Sequence, residues 1–415
     1  MMNPLDKTQS GNHTFFETKT QPALTCSIKS VELAYSCTLN EENLDIIMKK
    51  PPLIWTNILL FAITFLGAVI LVPWYGITYG YGMAEWVAFV GLAFASGLSI
   101  TAGYHRLWSH RTYKAHWSVR FLFALGGALA LQNSALHWSS DHRIHHKHVD
   151  DNDKDPYSAN MGFWYSHIGW MLREYQAQRY HDYKNVRDLQ NEKIVMWQHK
   201  YYLPLLIIMN IGLPALLGWL NGDVWAMLLM AGLLRLVVVH HCTFFINSLA
   251  HIWGSQPYTD KNTARDNGVL ALFTYGEGYH NFHHIFENDY RNGILWWHYD
   301  PTKWLINAMA WTGLANNLRV TPQERIESAK LQMQLKKAQH KVTQLANHEE
   351  ILEKIHAEYE LLKTHIADYY QAHKELLEAK RKQLTTHQLM QQVEHLKQEL
   401  LARQKQWKSL TTGFA

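Results

Sequence analysis

Two stretches of this chain place histidines at the same spacing. His142, His145 and His146 stand at steps of 0, 3 and 4, and so do His280, His283 and His284 in Gly276-Glu277-Gly278-Tyr279-His280-Asn281-Phe282-His283-His284. On a helix, such positions share one face within about one turn. A third pair, His105 and His110, frames Arg106-Leu107-Trp108-Ser109, and His251 adds a ninth imidazole. Neutral imidazole is the commonest protein metal ligand and suits iron, zinc, copper and nickel. One metal takes about four to six ligands, so nine histidines imply two metals. Zinc needs three or four protein ligands and does not account for nine. His116, His137, His148, His240 and His241 lack the repeated spacing and are read as ordinary buried or exposed histidines.

The elements that must position these residues follow from the hydropathy pattern. The mean hydropathy of −0.24 hides two unlike regions. Up to about residue 312 the chain has long apolar runs rich in Trp and Tyr. From Thr321 it is polar and charged, with no Pro or Gly between Gln323 and Thr412. Four runs are long enough to cross a bilayer as helices, at about 53–72, 86–104, 201–220 and 225–253. Trp55 and Trp74 flank the first, as interfacial aromatics do. The last would rise about 43 Å against the ~30 Å of a bilayer core, so it should carry Asn247 and His251 out into the cytosol. Arg235 lies within it and needs a place inside the bundle or near the cytosolic domain.

Loops 73–85 and 221–224 contain no Lys or Arg, whereas the segments before 53, from 105 to 200 and after 253 contain many. That positive-inside pattern places both termini and all nine histidines on the cytosolic side. Residues 119–136 are apolar but short, with Arg120, Gln132 and Asn133 among them. Were they to cross, they would put the histidines at 142–146 and 105–110 on opposite sides. They are therefore expected to lie in the interface or to dip in and return.

Residues 1–50 read as a cytosolic arm without the apolar core of a cleavable signal peptide. The net charge of +4 gives no reason to expect nucleic acid, and three cysteines without a CxxC pair form no metal framework. Residues 321–412 open with a capping box and continue in heptad-like steps that slip near Leu352 and again before Leu389. They predict a coiled coil with breaks or a helical hairpin, serving self-association or partner docking. Asp151, Asp153 and Asp155 lack the glycine and glutamate of a calcium loop and read as a solvated acidic turn. Gly276 and Gly278 read as sites of close backbone approach beside the ligands.

Together with Asn247, Gln132-Asn133, Trp138, Asp141, Asn57 and the run Phe163 to Trp170, the histidine boxes resemble the membrane-bound acyl-CoA desaturases of the stearoyl-CoA type. The resemblance covers roughly residues 50–315. Asp155-Pro156-Tyr157 and Trp253 to Tyr258 are similar to bacterial members most, which implies a bacterial inner membrane. It implies that His105, His110, His142, His145, His146, His251, His280, His283 and His284 bind two irons, with Asn247 reaching one through water. It also implies cis double-bond insertion using O2 and two electrons. Asn57, Asn133, Trp138 and Asp141 match substrate contacts, and Phe244 stands where relatives use a Trp near the bend of the acyl chain.

Ser140, Glu174 and Tyr175 stand where mammalian relatives place basic residues for the CoA phosphates, with Arg173 and Arg179 nearby. The acyl carrier is thus left open among CoA, acyl carrier protein and intact lipid. The sequence has no His-Pro-Gly-Gly, so a separate electron donor is expected, a ferredoxin or a b-type cytochrome. The expectation is an all-α integral membrane protein. It has an N-terminal arm (1–50), a desaturase domain (51–315) of four spans carrying a cytosolic di-iron site, and a coiled-coil-like tail (321–412). No catalytic residue is named beyond the metal ligands. Two other readings of the same residues are a di-iron hydroxylase of lipid or alkane and a non-catalytic membrane scaffold.

Overall fold

A computed structural model describes residues 50–176, 183–343 and 348–412. The expected N-terminal arm, apart from Lys50, and Arg179 lie outside the described residues. Among the described residues the chain is mostly helical. Four helices are long and apolar enough to cross a membrane: α1 (Trp55–Thr78), α2 (Met83–Ser109), and two that follow the histidine helix, Tyr202–Asn221 and Val224–Ile252. Leu59, Ile63, Leu66, Val69 and Ile70 of α1 are exposed, as lipid-facing positions should be.

Between the two pairs of long helices come α3 (Trp117–Ala130) and α4 (Ala135–His148), bent by 81°. At 1.5 Å per residue, the 14 residues of α3 rise about 21 Å, short of a bilayer core. Leu131 (φ 53°) and Asn133 (φ 73°) turn the chain through left-handed backbone, and Ser134 caps α4 by accepting from His137 N. The long helices that follow are α5 (Tyr202–Asn221) and α6 (Val224–Ile252). Their short connection meets that of α1 and α2 at one end of the bundle: the Tyr75 hydroxyl donates to Asp223, and Asn221 Nδ2 donates to Glu85.

A helix that stops inside a bundle exposes its last carbonyls, which need donors. Here α5 and α6 provide them. Asn210 Nδ2 donates to Ala128 O, Arg235 Nη1 to Leu129 O, and His240 Nε2 to Ala130 O. Arg235 is fully buried, and its remaining donors reach Ala231 O and Asn210 Oδ1. It pairs with the negative end of a helix dipole. His240 is likewise satisfied structurally.

Beyond α6 lie α7 (His280–Ile285), α8 (Pro301–Trp311), and three tail helices α9 (Gln323–Val342), α10 (His348–Arg381) and α11 (His387–Thr412). The tail helices bury Leu331, Ala338, Val342, Ile355, Leu362, Ile366, Leu400 and Trp407 together. The heptad seam is thus covered from within the chain. The slip before Leu389 falls between α10 and α11, and the slip near Leu352 follows the end of α9.

Candidate metal centre

The nine histidines converge into two sets. His105, His110, His142, His146 and His283 form one; His145, His251, His280 and His284 form the other. Within each set the candidate ligand atoms all lie within 4.8 Å of one another. In the five-histidine set, the Nε2 atoms of His105 and His283 are 3.0 Å apart, those of His110 and His142 2.8 Å, and those of His146 and His283 3.0 Å. In the four-histidine set, His145 and His284 approach to 3.3 Å, and His280 and His284 to 3.0 Å. The sets adjoin: the rings of His146 and His284 stack at 4.4 Å.

Local backbone explains how His105 and His110 meet. Residues five apart on an α-helix point about 140° away from each other at 3.6 residues per turn. From Ser99 to Ser109, α2 winds as a π-helix, and His110 N donates to His105 O at 3.0 Å, an i→i+5 bond. This wider winding draws the two imidazoles toward one side, with ring centroids 4.8 Å apart.

The other two boxes do not each serve one set. On α4, His142 and His146 join the five-histidine set and His145 the other. On α7, His280 and His284 join the four-histidine set while His283 crosses over. Positions i and i+4 of a helix are about 40° apart, whereas i+3 lies about 100° from i+4. Each helix therefore presents a pair to one centre and a single imidazole to its neighbour.

Hydrogen bonds at the outer nitrogens turn the inner ones inward. His105 Nδ1 lies 3.0 Å from Glu277, which also accepts from Arg106 and Asn292. Burial opposes ionisation of Glu277, but its contacts with the His105 imidazole and the Arg106 guanidinium outweigh it and hold this carboxyl well below the usual range. Arg106 extends the network to Asp300 and to Tyr290 O. His146 Nδ1 meets the half-exposed Glu287 at 3.2 Å.

His145 Nδ1 donates to Asp155 Oδ1 at 2.8 Å, and Asp155 also accepts from Asp150 N and Tyr157 N. Asp155 is 0 % exposed. The expected solvated acidic turn is thus wrong for this residue, because three donors satisfy its carboxylate out of water. Asp150 acts at one remove: the Thr263 hydroxyl donates to Asp150 Oδ1, so its oxygen must accept from His251 Nδ1. His251 then carries its proton outward. Its Nε2 is buried without a protein partner, facing the other three rings of its set.

Desolvation drives the pKa values of His110, His142, His280, His283 and His284 well below the ordinary 6.5, with neighbouring histidines adding repulsion. Burial takes His146 to about 4 although Glu287 opposes it. Imidazoles that burial keeps neutral, outer nitrogens of His105, His145, His146 and His251 set against a carboxylate or hydroxyl, and the unpartnered inner nitrogen of His251 make a donor set that fits metal ions. The glycines beside it act sterically. Gly276 has φ +98°, and a Cβ on Gly278 would stand 2.3 Å from Ala271 N.

A cavity of about 430 Å³ is separated from the five-histidine set by Trp138, which lines it and stacks on His142. Asn57, Asn133, Trp138, Asp141, Phe244 and Asn247 all line it. The Trp138 ring stacks on His142 at 4.9 Å, and Asn247 lies one turn before His251. Exposed Glu174 and Tyr175, with Arg173, line its polar end, whereas Ser140 is buried and donates to Asn185. Gln132 Nε2 donates to Thr243 across the wall, a contact 111 residues apart without a local sequence signal. His116, His137, His148, His240 and His241 join neither histidine set.

A sequence model described as fatty acid desaturase matches residues 84–314. The chain belongs to the fatty acid desaturase family. Among the relatives of this desaturase-family chain is a probable acyl-CoA desaturase of Schizosaccharomyces pombe. It is 48% identical over 242 residues, which are 58% of this chain and 50% of that protein. Acyl-CoA desaturase 1 of Saccharomyces cerevisiae is 45% identical over 246 residues, 59% of this chain and 48% of that one. The stearoyl-CoA desaturase of Capra hircus is 40% identical over 279 residues, 64% of this chain and 75% of the goat protein. The chain thus spans about half the length of the two fungal relatives.

Proposed function

We propose that this chain is an oxygen-dependent fatty acyl desaturase that inserts a cis double bond, at the Δ9 position, into a saturated acyl-CoA or related acyl thioester. The observation that carries this reading is the pairing of two all-imidazole sets with one cavity lined by apolar and amide side chains. Two iron ions, held by the five- and four-histidine sets, would supply the oxidising power that an unactivated methylene demands, drawing on O2 and two electrons. In balance, the acyl chain loses two hydrogens from adjacent carbons. With two electrons and two protons, these leave as two waters.

The remaining work falls to the protein. Trp138 separates the acyl chain from the five-histidine set while lying flat on His142. Asn57, Asn133 and Asp141 supply polar contacts, and Phe244 turns the chain within the cavity. Asn247, one turn before His251, would reach a metal through water. Arg173 at the cavity's polar end bears on the headgroup. The histidines face the cytosol, as the charge asymmetry of the loops argues, and a bacterial inner membrane suits the motif resemblance. Electrons arrive from a separate ferredoxin or b-type cytochrome. Self-association would use exposed tail residues such as Leu377 and Leu401, since the seam is covered.

Expression in a host poor in unsaturated lipids tests this directly. New cis-monoenoic acids by gas chromatography are the expected result. Hydroxy acids in their place would instead assign a hydroxylase. An unchanged lipid profile from an iron-loaded protein with a working donor would leave a scaffold.

A further inference from the structure

The helix α7 carries three of the nine imidazoles on only six residues. A helix that short does not hold itself together in water, so its geometry is imposed from outside. The metal-facing side is described above; the opposite side is held by three further groups. Asp266 accepts from Phe282 N. The Asn281 amide donates to Thr259 O and Ala264 O and accepts from Tyr258 N. Phe282, Phe286 and Tyr258 form an aromatic nest with ring centroids 5.0–5.9 Å apart.

What closes that nest is Ile326, 0 % exposed, from the first turn of α9. It lies beyond the residues matched to the family. The contact is reinforced around its edge. Lys330 Nζ sits 5.4 Å over the Tyr258 ring, Lys336 pairs with Asp260, and Thr321 N donates to Asp289.

We propose that Ile326 is a positioning residue for the metal centre: the start of the tail braces α7 from behind and keeps His280, His283 and His284 aimed at the two ion positions. This rests on the metal-binding reading above and extends it to a segment whose sequence pattern pointed to self-association or partner docking. Since α7 feeds both histidine sets, loosening it loosens both. Val393, buried in a separate cluster with Ala372 and Leu376, provides the comparison within the same tail.

The test uses the full-length, iron-loaded protein and measures iron release to a chelator together with hydrogen exchange of the 280–286 amides. Ile326→Ala should release iron about tenfold faster than wild type, in the range seen when groups supporting a ligand are lost. Its 280–286 amides should exchange faster. Ile326→Val, which removes one methyl group and keeps the fold, should fall between. Val393→Ala should match wild type in both readouts. Release and exchange at the Val393→Ala rate in both Ile326 variants would overturn the brace. The lipid assay fails separately: wild-type protein that holds iron and makes no unsaturated product defeats the desaturase reading and leaves this one standing.

Discussion

The two histidine sets are built from the same residue type and held in place by different means. The five-histidine set leans on buried charge: Glu277, Arg106 and Asp300 form a network almost without water, beneath the π-wound end of α2. The four-histidine set leans on a loop. Asp155 orients His145, and Asp150, through Thr263, orients His251 from the same stretch of chain. Charges removed from water are costly to separate, whereas a hydroxyl relay to a half-buried carboxylate is cheaper to disturb. The first set should therefore fail together with the fold, and the His251 limb of the second should fail by losing metal while the fold persists.

The largest effect is expected at His283, whose Nε2 approaches both His105 and His146. His283→Ala should leave no measurable unsaturated product and clearly reduced iron per chain, read by gas chromatography and elemental analysis. Next comes Glu277→Ala, which leaves the buried Arg106 guanidinium with Asp300 as its one carboxylate partner and takes the acceptor from His105 Nδ1 and Asn292. Loss of one partner of a buried pair costs about 3–5 kcal/mol, and thermal unfolding should show a substantial drop in stability. Thr263→Val should behave differently: about ten- to a hundredfold weaker iron retention in a chelator competition, with a melting temperature near wild type. Equal melting losses in the last two variants would erase the distinction between the sets.

The smallest effect is graded with pH. His146 binds its proton at about 4 in the folded protein against 6.5 ordinarily, so the unfolded chain holds more protons between those values. Its contribution to stability is complete above about 6.5 and declines as pH falls toward 4. Unfolding of metal-free protein followed across that interval should show stability rising with pH, and Glu287→Gln should steepen the loss by removing the carboxylate that favours the charged ring.

Much of this was written in residue type and spacing, and the rest required the third dimension. The histidines announced themselves by repeated intervals, and the membrane helices by uninterrupted apolar runs. Spacing alone suggested that each triplet serves one face. It could not show that His145 and His283 change sides, because that depends on how α4 and α7 face each other. The five-residue gap between His105 and His110 made no geometric sense until the π winding supplied it. Asp155 looked like one more solvated acid in an acidic run, since nothing local tells a buried carboxylate from its neighbours. Thr263 lies 113 residues from the Asp150 it serves. Arg235 stood out as an oddity inside a span, but one of its partners is a backbone carbonyl of a broken helix 106 residues away in sequence.

The crossing of His145 and His283 has a consequence for how the protein is filled. If each set holds an ion, neither shell would be finished until both helices are seated, and the first arrival would do the ordering from which the second benefits. Titrated with less iron than it can hold, a population of these molecules should divide into replete and vacant members, with few singly occupied ones between them.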